Sequence, residues 1–574
     1  MEQFIIKMKI SEWVNRKIWP VLLGLTVFAL CSSPVIRHIQ TDRNAVPWMD
    51  GSQHFSNAAN LMNLIFSGEI SAHWSFFQGL FPLLSVYTLY IFSFFLTAGK
   101  TFYSLGILFS LLFLFLIFMF QKNNSDSADS IMKTSVFTVM VFFSGLLFSE
   151  NGGFLDTRID VVSALFGGLS LLAAVNTRYY QSFLFCIIAS LMKGAAFFLI
   201  FPQIFLIAFF IEWKAGFRSV FKRNLTEMKV NFQTIGKYSI LLILFFLFLR
   251  YSFLESLSYN LMKTGGAGLT ERILIFQKTM TQYLSAGVPF YIAHLLKESN
   301  AVHLVILSAV SFAVLKFRKQ EISFLDIFLP LGSFIFSLLV MSSNPLASGL
   351  LLIWFFPSLC LLNSFFAQLA VMLPDRKWVL ILIPFLIYSA AKKNKLKYHI
   401  KEDYLVAARD TIRFQSEKTA EILDMYAEKK AFLNAIVFSN FVTKHGVISH
   451  DYNAYRSLIL RKMKKRNVFL EGWELSTYSE DWRQELEAFK GNDIFVFLLQ
   501  ENPEGVPSGL TPNKHGKNNY KTIMELAEKK SGCFRKAFED RMINPMGSCS
   551  VLIFEPSQEC LAVISAVSER EGKK

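Results

Sequence analysis

A chain of 574 residues with 53% hydrophobic side chains, 61 phenylalanines and a mean hydropathy of +0.39 is too apolar for a water-soluble globule. Its apolar runs reach the roughly 20 residues that carry a helix across a bilayer, so the composition predicts a polytopic membrane protein. The formal charge of +15 does not point to nucleic acid, because Lys and Arg gather at the ends of apolar runs and in the C-terminal third, with no basic stripe interleaved with aromatics.

In chain order, Lys7, Lys9, Arg16 and Lys17 precede an apolar run over 18–36. Basic flanks stay in the cytoplasm, so this first span is expected to run outward and to deliver Asp50 to the outer face. The stretch Ala29 to Pro34 is a poor cleavage site, and the run is read as an uncleaved span. Behind Trp48-Met49-Asp50-Gly51, residues Phe55, Ala58, Ala59, Met62, Ile65 and Phe66 are spaced for one helix face, with Gly68 as the stop. The pattern predicts a helix lying in the interface plane with an acid at its start. Asp50 reads either as a chemical group or as a helix cap. His54 and His73 lack dense ligand spacing and are expected to be surface histidines, not metal ligands.

Further apolar runs lie at 79–98, 102–120, 131–149, 158–176, 180–192, 194–212, 236–254, 301–317, 323–342, 346–369 and 377–392. Arg178, then Lys214, Arg218, Lys222 and Arg223, then Lys316, Arg318 and Lys319, then Arg376 and Lys377 fall on one face if the 79–98 run does not cross completely. That run is therefore expected to be re-entrant or juxtamembrane, leaving about eleven spans and the C-terminus outside. Lys392, Lys393, Lys395 and Lys397 oppose this placement, since they follow the last span. The segment 255–298, with Gly265-Gly266-Ala267-Gly268, is expected to form an outer loop over a site.

After 394 the composition turns polar, with strands predicted at Asn467 to Glu471, Ile494 to Leu499 and Val551 to Glu555 among helices. The expected domains are a transmembrane part over 1–393 and a soluble α/β domain over 394–574, the latter an accessory acceptor-binding or packing unit. Cys31, Cys186 and Cys360 sit in apolar runs, whereas Cys533, Cys549 and Cys560 would allow one disulfide in an oxidising compartment.

Chemistry is sought where charge meets the outer ends of spans, because ionisable groups at membrane depth are costly and face a cavity or one another. Asp156, Arg158 and Asp160 form one such cluster at the mouth of the 158–176 run. It reads as a reactive group or as an Arg158 to Asp ion pair fixing a helix end. Lys193-Gly194, between two apolar runs with Pro202 beyond, reads as a phosphate ligand or as a snorkelling lysine.

The order Trp48-Met49-Asp50-Gly51 through Ala58, Leu61 and Gly68, then Arg158-Ile159-Asp160-Val161, then Met192-Lys193-Gly194 through Pro202 resembles GT-C superfamily glycosyltransferases over residues 10 to 390. The likeness is to the group holding protein O-mannosyltransferases and lipid A aminoarabinose transferase. The chain departs from the family pattern where Gly51 replaces a second acid, where Asn344-Pro345-Leu346-Ala347 lacks an Arg-Tyr, and where Ala195 replaces Pro.

The resemblance implies an all-α GT-C-like polytopic membrane domain with juxtamembrane helices, followed by the C-terminal α/β domain. It implies a hexosyl- or pentosyltransferase of the bacterial inner membrane, with its active site on the outer face. A sugar would move with inversion from a polyprenyl-phosphate donor to a glycan, lipid or protein acceptor. Asp50 would be the base, Lys193 and Arg158 would neutralise the donor phosphate, and Asp156 or Asp160 would orient the acceptor or hold Arg158. No cofactor is assigned, and use of a divalent metal stays open. The competing readings are a transporter or flippase of lipid-linked saccharide and an O-antigen polymerase or ligase.

Overall fold

The computed structural model describes residues 19–41, 49–71, 74, 77–78, 83–96, 104–123, 158–193, 195–219, 313, 316–317, 403–426, 431–436, 440–443, 446–449, 452–464, 470–471, 494–500, 525, 528, 532–540 and 549–554. The helices are α1 (Trp19–Thr41), α2 (Met49–Ser67), α3 (Leu84–Leu96), α4 (Ser104–Asn123), α5 (Asp160–Val175), α6 (Tyr179–Met192), α7 (Ala195–Ser219), α8 (Asp403–Asp424) and α9 (Tyr452–Lys462). The strands are β1 (Ala431–Ile436), β2 (Asn440–Thr443), β3 (Gly446–Ser449), β4 (Leu470–Glu471), β5 (Ile494–Gln500), β6 (Phe534–Asp540) and β7 (Cys549–Phe554). Two compact units result, one from Met1–Arg37 with Leu105–His399, the other from His38–Ser104 with Ile400–Lys574.

In the first unit α5 and α6 form a tight antiparallel hairpin, and α7 packs on both. The turn is a Schellman closure: Arg178 N donates to Ala173 O and Thr177 N to Ala174 O, each at 2.9 Å. Thr177 takes the left-handed conformation, φ 57°, that glycine usually supplies there. Gly167, Gly168, Ala173 and Ala174 are buried, and small side chains let helix backbones approach closely. Two buried serines use that closeness. Ser163 Oγ donates to Ala189 O at 2.9 Å and Ser170 Oγ to Ser182 O at 2.7 Å, tying α5 to α6 near both ends.

Among the described residues no helix is long and apolar enough to cross a membrane. Helices α5 and α6, with 16 and 14 residues, rise about 24 and 21 Å, less than the roughly 30 Å of a hydrocarbon core. Their lengths are set by the Arg178 turn and the break at Lys193. The 79–98 run is helical over the 13 residues of α3, about 20 Å, also short of a full crossing. The expected runs at 131–149, 236–254, 323–342, 346–369 and 377–392, most of 301–317, and the glycine-rich segment 255–298 lie outside the described residues.

The second unit is built on a five-stranded mixed sheet in the order β4-β1-β5-β7-β6, with β2 and β3 as a separate hairpin. Strand β1 pairs parallel with β4 and β5, whereas β7 runs antiparallel to β5 and β6. The strands expected near 467, 494 and 551 coincide with β4, β5 and β7. Strands β1, β2, β3 and β6 were not expected. β6 is an edge strand with Arg535, Lys536, Glu539 and Asp540 along it, the charged composition that protects an open edge and hides a strand from hydropathy.

Helix α8 packs on α9, and the contact carries a titratable link. Burial alone would push the Glu417 carboxyl up, but Lys462 of α9 and Arg413 one turn away outweigh it and hold the group below its ordinary range. A depressed carboxylate stabilises the fold above the unfolded value of about 4.3 and loses that contribution as pH falls through the folded value. Glu417→Gln is therefore expected to cost less than about 1 kcal/mol at pH 7, since the pair is partly exposed. Thermal unfolding of the full-length protein against pH should show wild type and variant converging in acid. A difference that persists unchanged at pH 3 would assign the effect to packing.

Candidate functional site

The α5–α6 hairpin brings its two open ends together, and those ends carry Asp160 and Lys193. Asp160 is the first residue of α5, preceded by Ile159, which offers no side-chain cap. The helix entrance is held by Ser163 N donating to Ile159 O at 3.1 Å. Lys193 follows α6 in extended conformation, φ −137° and ψ 110°, where the chain leaves one helix and enters α7 two residues later. Its backbone serves both helices: Lys193 N donates to Ala189 O and Lys193 O accepts from Ala196 N.

Across this corner Lys193 Nζ lies 2.9 Å from Asp160 Oδ1, an ion pair rather than an aligned hydrogen bond. The two partners differ in environment: the Asp160 side chain is 1% exposed and that of Lys193 is 30% exposed. A buried carboxylate needs compensation, which the ammonium and the positive end of the α5 dipole supply. Asp160 Oδ2 is buried and accepts no hydrogen bond among the described residues. The pair therefore presents two unused capacities at one place, an acceptor oxygen inside and ammonium protons toward the outside. A phosphate can approach the ammonium, and a hydroxyl can donate to the open oxygen.

Arg158 is half-buried two residues before Asp160. Asp160 takes Lys193 as its partner because the hairpin turns the end of α6 back onto the start of α5. Asp156 lies outside the described residues.

Asp50 belongs to the second unit, as the second residue of α2, in the first turn where free N–H groups favour a carboxylate. Phe55, Ala58 and Met62 are buried as the apolar pattern predicts, but Ile65 and Phe66 are exposed, and Leu61 and Leu64 are buried in their stead. His54 is half-buried instead of lying on the surface, with its ring centroid 5.8 Å from Tyr87 and 5.4 Å from Tyr90 of α3. Tyr90 also meets Phe55 edge-on at 4.7 Å. His73 lies outside the described residues. Among the described residues no three His, Cys, Asp or Glu side chains gather in a way that would hold a metal ion.

The face of α2 that sequence periodicity missed is polar. Ser56 and Asn60 are fully buried, and both reach the tail. Ser56 Oγ lies 2.7 Å from Ser457 Oγ of α9. Asn57 Oδ1 accepts from Arg456 Nη1 at 3.3 Å, while its Nδ2 donates to the Tyr87 hydroxyl. Asn60 Nδ2 donates to Leu470 O at 2.5 Å and its Oδ1 accepts from Leu470 N at 3.3 Å. Cys533, at the start of β6, is disulfide-bonded, whereas Cys31 and Cys186 are free and buried.

No protein-family model, curated protein or solved structure matches this chain. The site has to be read from its own geometry.

Proposed function

We propose that this protein is an integral membrane glycosyltransferase that moves a sugar from a polyprenyl-phosphate carrier to an envelope acceptor, with inversion, at the outer face of a bacterial inner membrane. The observation that carries the reading is the buried Asp160 joined to the half-exposed Lys193 at one corner of a helix hairpin. A lysine held this way can meet a lipid-borne phosphate at membrane depth, where a free cation would be costly.

The proposed reaction uses few parts. In the reaction that the family resemblance implies, an acceptor hydroxyl oxygen attacks the anomeric carbon while its proton passes to a carboxylate, the role the resemblance gives to Asp50. The bond from that carbon to the phosphate oxygen breaks, and its electron pair leaves on the phosphate. Lys193 meets the growing charge there, with Arg158, two residues before its partner Asp160, as a second cation. Asp160 keeps the lysine in place and offers Oδ2 to a hydroxyl. The disulfide at Cys533 supports an oxidising surrounding for the tail, as an outer face provides.

The test is release of free polyprenyl phosphate by the purified protein given lipid-linked sugars, read together with mass spectrometry of envelope glycans from cells with and without it. Release coupled to one missing glycan residue is expected. Movement of intact lipid-linked saccharide across vesicles with no phosphate release would instead identify a flippase.

A further inference from the structure

We infer that α2 and the α/β tail are one folded body, clamped at Asn60, so that both stand on the same side of the membrane and the chain between them crosses it an even number of times. This consequence for sidedness rests on the membrane reading above; the clamp itself does not.

Asn60 uses both ends of its amide on both backbone groups of Leu470, as a neighbouring strand would, and β4 is an edge of the sheet. A buried edge must find such partners, because unpaired backbone groups away from water are costly. Arg456 is 5% exposed, and Asn57 accepts from it while donating to Tyr87 of α3. Ser56 and Ser457 close the same face. These residues are more than 390 positions apart in the chain, by the separation of 399 between Asn57 and Arg456. Polar groups buried reciprocally over such a separation belong to a permanent contact; a surface meant to part again would leave each side solvated.

A body of this kind cannot be divided by a bilayer. Residues 49–96 and 403–554 therefore share a side, and the segment from Leu105 to His399 leaves and returns. The apolar runs from 102–120 to 377–392 number ten in the sequence, and leaving out 158–176 and 180–192, whose helices α5 and α6 are too short to cross, keeps the number even. Helix α2, with Asp50 in its first turn, packs against the tail within the second unit.

The experiment uses the full-length protein with one new cysteine at a time, Gln53→Cys on α2 or Glu528→Cys in the tail, both exposed positions. The parent, labelled in parallel, sets the background from its six cysteines, of which Cys31 and Cys186 are buried and Cys533 is bonded. A membrane-impermeant maleimide is applied to right-side-out and to inside-out vesicles. Both sites should label in one orientation and both be protected in the other; labelling in opposite orientations overturns the inference. Equal labelling of both sites in both orientations would remove the membrane reading and with it the parity. The clamp is then decided separately by Ser56→Cys/Ser457→Cys oxidised with copper phenanthroline, followed by peptide mass spectrometry. A disulfide-linked peptide joining positions 56 and 457 is expected, and recovery of the two only as separate thiol peptides overturns the clamp.

Discussion

Lys193→Met is expected to abolish donor use and to destabilise the first unit at the same time. Removing the ammonium leaves the Asp160 carboxylate buried without its partner, at a cost of about 3 kcal/mol, the low end for a broken buried pair because Lys193 still reaches solvent. One substitution therefore cannot separate a phosphate ligand from a purely structural pair. Asp160→Asn/Lys193→Met can, since no charge is then left buried and folding should recover most of the loss. If Lys193 binds the leaving phosphate, the refolded double variant still transfers sugar at least ~100-fold more slowly, the size of effect expected when a donor to developing charge is lost. Thermal unfolding and phosphate release measured on the same preparations read the two effects apart. Recovery of both stability and turnover in the double variant would reduce the pair to a structural link.

Asp50→Asn should fold, bind donor and transfer almost no sugar. Asparagine supports a helix start nearly as well as aspartate but cannot take a proton, so helix capping and base catalysis respond differently to this change. The expected loss in turnover is about 10² to 10⁴, with donor affinity close to wild type. Turnover and donor binding at saturating acceptor are the measurements. Near-normal turnover would take Asp50 out of the mechanism and move the search for the base to Asp156 and Asp160.

Much of the local structure was legible along the chain. The helix behind Asp50 is announced by its apolar spacing and by Gly68, which adopts φ 73° as the stop predicted there. The break at Lys193-Gly194 and the strands near 470, 494 and 551 are similarly local, because each follows from periodicity or from a residue that ends a helix. Strand β1 was not legible: its Ala431-to-Ile436 sequence holds two alanines and an asparagine, and it becomes a strand by lying between β4 and β5.

The amino-acid sequence by itself singled out the candidates for chemistry: Asp50, Asp156, Arg158, Asp160 and Lys193 stand out because charge is rare and expensive in so apolar a chain. Only the tertiary structure decided their company. Asp160 takes Lys193 as its partner because a three-residue turn folds two short helices back on each other, and Asn60 takes Leu470 because a sheet edge formed some 410 residues later needs a hydrogen-bonding partner. Hydrophobic period is a property of neighbours in sequence, whereas the pairing of buried polar groups is set by which surfaces meet, and no local pattern carries that information.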